Sequence, residues 1–194
     1  MNINLVLGII VSITFLLAYF PQLKSLKNSS DISGISTVFW MLIALSTATT
    51  ASNLWEAHAV WYVFIPQYLN ATIAVIILLW VSYKKEKIVG LWIMLMTYSF
   101  LISILAFKLD NEFVQMWASI FIFLAYLEQI IHMITKKTAQ GINPLLYIGF
   151  AIGLLIMASN IFYTGAPVSA AVTEMTNFSM IVIATIITYI YKKK

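Results

Sequence analysis

Leu17-Ala18-Tyr19-Phe20-Pro21-Gln22 returns 107 residues later, ungapped, as Leu124-Ala125-Tyr126-Leu127-Glu128-Gln129. The same offset carries Gly34-Ile35 onto Gly141-Ile142, Ala51-Ser52-Asn53 onto Ala158-Ser159-Asn160, Asn70 onto Asn177 and Lys85 onto Lys192. In a chain that is 62% hydrophobic, matched leucines mean little, whereas matched glutamines, asparagines and glycines are not explained by composition. Duplication with polar groups inside apolar stretches points first to a membrane transporter.

Only 9% of the residues are charged, and apolar runs of bilayer-crossing length recur along the chain. Seven spans are expected, at 3–20, 34–56, 61–83, 88–107, 113–134, 142–163 and 168–191. The fold class is therefore all-α, a polytopic membrane protein with short loops and no soluble domain. The first span lacks a basic n-region and a small-residue cleavage site, and reads as a retained helix. Zero cysteines exclude disulfides and thiolate metal sites. The net charge of +4 comes entirely from lysine, and its placement reflects topology rather than nucleic-acid binding.

Ten of the eleven lysines fall on alternate loops: Lys24 and Lys27, Lys84, Lys85 and Lys87, Lys136 and Lys137, and Lys192, Lys193 and Lys194. The positive-inside rule makes those segments cytoplasmic. Glu56, His58, Asp110, Glu112 and Glu174 mark the opposite side, where Lys108 is the one exception. The N-terminus is then outside and the C-terminus inside, in a cell membrane, and lysine without arginine suggests a bacterium. Residues 1–87 and 108–194 form two three-helix repeats, and 88–107 forms a linker helix. One odd helix between the repeats gives both the same orientation, a parallel repeat about the membrane normal. The solute path is expected between them.

Tyr19-Phe20-Pro21-Gln22, followed by a short basic loop and Gly34-Ile35-Ser36, resembles a PQ-loop motif. Tyr126-Leu127-Glu128-Gln129, followed by Gly141-Ile142-Asn143-Pro144, resembles a degenerate second copy. With the three-plus-one-plus-three plan and the asparagines of the third and seventh spans, nearly the whole chain is similar to the SWEET sugar transporters and the wider PQ-loop family. The resemblance implies facilitative sugar transport by alternating access, with Asn70 and Asn177 contacting the solute and Pro21, Gln22, Glu128 and Gln129 at the gate or hinge positions. The second copy departs from the pattern by placing Glu128 where the family has proline. That substitution removes a helix-loosening residue and adds an ionisable one.

The residues read on their own agree in part. Asn70 and Asn177 lie at mid-span, where an unpaired amide is costly, and each offers donors and an acceptor to a polar neutral solute. The ordinary alternative is a hydrogen bond between helices. One turn earlier stand Gln67 and Glu174, a neutral amide matched to a carboxylate. That asymmetry suits an amine, a cation or a proton, while the plain reading of Glu174 is a solvated interface residue. Ser52, Asn53 and Trp55 match Ser159, Asn160 and Phe162. Sugars bind to aromatic faces flanked by hydrogen-bonding groups, and in the SWEETs a tryptophan of the second span and its repeat partner stack on substrate. An interfacial aromatic belt is the plain alternative. For Gln22 and Gln129 it is helix capping at the interface.

Glu128 and His132 are spaced i,i+4, close enough to share a proton. No pairing suggests hydrolysis, covalent catalysis or a metal site, and no glycine-rich phosphate loop is present. The chain is not expected to be an enzyme or to need a cofactor. Its expected partners are a small-molecule solute and the lipid bilayer, with a homo-oligomer left open and no nucleic acid. A proton-coupled transporter of amino acids or of a vitamin- or nucleoside-like solute is the alternative, favoured by Glu128 and Glu174. A non-transporting receptor is the third reading, weakened by the absence of arginine.

Overall fold

The computed structural model describes residues 3–56, 58, 60–85, 90, 92, 111–164 and 168–192. Over these residues the chain is all-helical, as expected, with six helices: α1 (Ile3–Asn28), α2 (Thr37–Glu56), α3 (Trp61–Lys85), α4 (Asn111–Lys136), α5 (Pro144–Thr164) and α6 (Val168–Lys192). Each overlaps an expected span, with α1 running past the expected end at residue 20 to Asn28. The expected linker span, 88–107, lies outside the described residues apart from Gly90 and Trp92.

Four helices are long and apolar enough to cross a membrane, over Leu5–Asn28, Phe64–Lys85, Phe113–Lys136 and Glu174–Lys192. α5 is apolar over the shorter stretch Pro144–Ser159. α2 carries Ser46, Thr47, Thr49, Thr50, Ser52 and Asn53 within its length. Two of these hydroxyls return to the preceding turn, Thr47 Oγ1 donating to Ile43 O at 2.8 Å and Thr49 Oγ1 to Leu45 O at 2.8 Å. Such back-bonding lets hydroxyl side chains sit buried inside a helix.

α1 runs through Pro21 to Asn28 rather than ending there. Proline removes one backbone donor, and its ring crowds the carbonyl four residues back. Within the helix this loosens one turn without ending the run. α3 likewise runs through Pro66, one residue before Gln67.

The helices group into two compact units, and neither coincides with a sequence repeat. A split unit comprises Met1–Gly34 and Ile130–Lys194, and a contiguous unit comprises Ile35–Gln129. The split unit thus joins α1 of the first repeat to α5 and α6 of the second. The contiguous unit joins α2 and α3 of the first repeat to most of α4.

In the split unit, α1 packs on α5 through small residues. A Cβ on Gly149 would stand 2.5 Å from Ala18 Cβ, and one on Gly153 would stand 2.5 Å from the Phe15 ring. Small residues let helix backbones approach closely, the usual basis of tight contact where no hydrophobic driving force separates helix from lipid. Phe150 fills the adjoining space, stacked on Phe15 at 5.1 Å and edge-on to Tyr19 at 4.9 Å. In the same unit, Thr188 Oγ1 of α6 meets Met133 Sδ at 3.4 Å. In the contiguous unit, the buried core takes Phe39, Ile43, Ala44 and Leu45 from α2, Ala74, Ile77, Leu78 and Val81 from α3, and Ala118, Ala125 and Tyr126 from α4. Phe39 meets Tyr126 edge-on at 5.5 Å, and Ser46 Oγ donates to Ala118 O at 2.6 Å.

Candidate functional site

The start of α5 is written in its sequence. Asn143 is the N-cap, its Oδ1 accepting from Leu145 N at 3.0 Å, and Pro144 fills the first helical position, where no donor is needed. Ser36, at the equivalent repeat position, caps α2 by accepting from Phe39 N at 3.2 Å. A cap satisfies its helix but leaves its own backbone N–H to be placed.

The motif glutamines take those N–H groups. Gln22 Oε1 accepts from Asn143 N at 2.8 Å, and Gln129 Oε1 accepts from Ser36 N at 2.9 Å. The two bonds are related by the same offset as the sequence repeat, and they are crossed: the glutamine of each repeat holds the capping residue of the other. Gln22 also donates through Nε2 to Gly141 O at 3.0 Å, where Ser25 Oγ donates at 3.0 Å, and Asn143 Nδ2 reaches Pro21 O at 3.3 Å. Both glutamines are 1% exposed. Each therefore holds, at a buried site, the N–H of a capping residue that belongs to the other repeat.

The repeated lysines complete the pattern. Lys85 Nζ donates to Ile35 O, and Lys192 Nζ donates to Ile142 O at 3.3 Å. Each holds a carbonyl of the residue before a cap. Gly34 and Gly141, also repeat-related, serve different needs. A Cβ on Gly34 would stand 2.6 Å from the Ala139 carbonyl carbon, while Gly141 has φ 86°, a backbone conformation that favours glycine.

The mid-span asparagines are both 7% exposed. Asn70 Nδ2 donates to Gln67 Oε1 at 3.5 Å, and Asn177 follows Glu174 by one turn of α6. In α3 the structure brings together the two polar residues that the sequence places one turn apart. Asn177 Oδ1 is buried with no hydrogen-bond partner. Glu174 itself is half-buried rather than solvated.

Other expected residues stand apart. Trp55 is 60% exposed and lies edge-on to Phe64 at 5.3 Å. Ser52 is exposed, and so is Ser159, whose Oγ donates back to Leu155 O at 2.8 Å. Asn53 Nδ2 donates to Gln115 Oε1 at 3.3 Å, and Asn53 Oδ1 is buried without a partner. The side chains of Asn160 and Phe162 lie outside the described residues. Glu128 Oε2 is buried with no hydrogen-bond partner. His132 Nε2 instead lies 2.9 Å from Ser33 O, and because a carbonyl only accepts, that nitrogen carries the hydrogen. Among the described residues no three His, Cys, Asp or Glu side chains gather as a metal site.

Sequence reasoning missed Asn143 and Ser36 as caps, Gln115 as the partner of Asn53, Ser25 as a second donor to Gly141, and Pro66 beside Gln67. The caps had a signal: an N-cap residue after Gly-Ile, reinforced by Pro144. Gln115 had none. Comparison with known protein families, curated proteins and solved structures finds no match to this chain.

Proposed function

We propose that this protein is an integral membrane transporter of a small polar solute, working by alternating access as a seven-span member of the PQ-loop class, with its N-terminus outside. The observation that carries this reading is the matched pair Asn70 and Asn177. Each is a buried amide within a helix apolar enough to cross a membrane, Asn70 held by Gln67 and Asn177 keeping a buried, unpartnered Oδ1. Burying an amide in such a helix is costly unless it has a use, and repeat-related placement doubles that cost. Facilitative sugar transport is the leading form, and the buried Gln22 and Gln129 are the hinge points. Neutral side-chain-to-backbone bonds are strong enough to hold a state and weak enough to be exchanged.

The test is uptake into vesicles reconstituted with the purified chain, after a thermal-shift screen with sugars, amino acids and nucleosides has chosen the solute. Asn70→Ala and Asn177→Ala are each expected to abolish uptake while the protein still reaches the membrane. Normal uptake by both sinks the site assignment. The proton-coupled alternative draws on one observation, the buried, unpartnered Oε2 of Glu128. On that reading a pH gradient drives accumulation and Glu128→Gln removes the dependence.

A further inference from the structure

We propose that the contact between α2 and α4 is a seam that parts from its Asn53 end, while its repeat counterpart between α1 and α5 stays closed. This goes beyond the transport reading, and its test needs no solute.

The two contacts are related by the repeat offset, and each is anchored at one end by a glutamine on a cap, Gln129 on Ser36 in one and Gln22 on Asn143 in the other. Beyond that bond they differ. Along α2 and α4 the further ties are polar: Ser46 Oγ donates to Ala118 O at 2.6 Å, and Asn53 Nδ2 donates to Gln115 Oε1 at 3.3 Å. The offset carries Ser46 onto Gly153 and Gln115 onto Gly8, so between α1 and α5 neither tie has the side chain it needs. Close apolar packing takes their place. A Cβ on Gly153 would stand 2.5 Å from the Phe15 ring and one on Gly149 2.5 Å from Ala18 Cβ, with Phe150 against both Phe15 and Tyr19.

Water distinguishes the two contacts. When a polar seam opens, water replaces each hydrogen bond and the net loss is small. When tight apolar packing opens, its dispersion contacts go and buried aromatic surface is uncovered, with no bond gained in return. The closed α2–α4 seam also leaves one acceptor unsatisfied, because Asn53 Oδ1 is buried without a hydrogen-bond partner. Opening gives that oxygen a donor from water. The buried hydroxyls of Thr47 and Thr49 do not hold the seam, since both donate within α2. At the other end the Gln129–Ser36 bond and the edge-on contact of Phe39 with Tyr126 remain, so the seam opens as a wedge.

The chain has no cysteine, so single thiols report access without background. Ala118 and Val11 are repeat counterparts, 1% and 3% exposed. In the purified full chain in detergent, Ala118→Cys is expected to react with N-ethylmaleimide about fivefold faster than Val11→Cys, or more. Ala125→Cys, near the held end, should be as protected as Val11→Cys. The space left by Val11→Cys favours reaction at the position expected to be slow. Replacing Asn53 and Gln115 together by leucine removes the polar tie and the unsatisfied acceptor, and should slow Ala118→Cys about threefold or more. Should Ala118→Cys fail to fold, Ser46→Cys, close to its original size and 3% exposed, reports on the same seam. A smaller difference between the two seams, faster reaction at Val11→Cys, equal rates at Ala125→Cys and Ala118→Cys, or a rate untouched by the leucine pair overturns the inference.

Discussion

The side-chain amide of Gln22 is bonded at both ends to the segment that opens α5, with Oε1 accepting from Asn143 N at 2.8 Å and Nε2 donating to Gly141 O at 3.0 Å. Replacing Gln22 by leucine removes both bonds and orphans Asn143 N, while Gly141 O keeps the bond from Ser25 Oγ. The expected cost is about 1–3 kcal/mol, that of one orphaned buried donor. Gln129→Leu orphans Ser36 N and should cost at least about 1 kcal/mol. Denaturant unfolding of the purified protein measures both. Wild-type stability in Gln22→Leu means the clamp contributes nothing.

Gly34 and Gly141 occupy equivalent positions, yet substitution should separate them. Asparagine tolerates the left-handed backbone that Gly141 adopts at φ 86°, so Gly141→Asn should be milder than Gly141→Ala, which costs about 1–2 kcal/mol. At Gly34 the obstacle is backbone of Ala139 and Gln140 at 2.6 Å, which cannot swing away, so alanine and asparagine should both cost about 1–3 kcal/mol. The same ranking at both positions would count against two separate causes.

Lys137 follows α4 with φ 53°, a conformation that strains any side-chain-bearing residue, while Thr138 N closes the helix end on Met133 O at 3.3 Å. Lys137→Gly should raise stability by about 0.5–1 kcal/mol. A lower melting temperature in this variant means the lysine side chain contributes more than its backbone strain costs.

The α1–α5 contact at Ala18 and Gly149 lends itself to a size exchange. Gly149→Ala alone puts two methyl carbons 2.5 Å apart and should cost about 1–3 kcal/mol. Adding Ala18→Gly opens the space again and should recover about 1 kcal/mol or more of that loss, a coupling typical of residues in contact. Strict additivity of the two substitutions shows that the backbones part instead.

The helices were legible because a span must be apolar over its whole length, and that demand leaves a continuous signal from Leu5 to Asn28 or from Phe113 to Lys136. The extension of α1 past Pro21 was not, because the sequence shows the missing donor but not the neighbours that hold the next turns in place. Repeat offset made Gln22 equivalent to Gln129 and Ser36 to Asn143. Equivalence does not say which glutamine meets which cap, and only the fold shows that the pairs are crossed. The i,i+4 spacing of Glu128 and His132 was permissive in the same way. His132 turns to the Ser33 carbonyl because that acceptor is at hand on a different segment.

The crossed partition has a consequence for how the chain is made. Ile35–Gln129 is one uninterrupted stretch, so that unit has all its helices once α4 has left the ribosome. Met1–Gly34 belongs with Ile130–Lys194, so α1 is made first and meets its neighbours last. Through the synthesis of more than a hundred residues Gln22 waits for Asn143. Biogenesis therefore runs inside-out in sequence: the middle of the chain closes first, and its two ends are joined only as the last helix arrives.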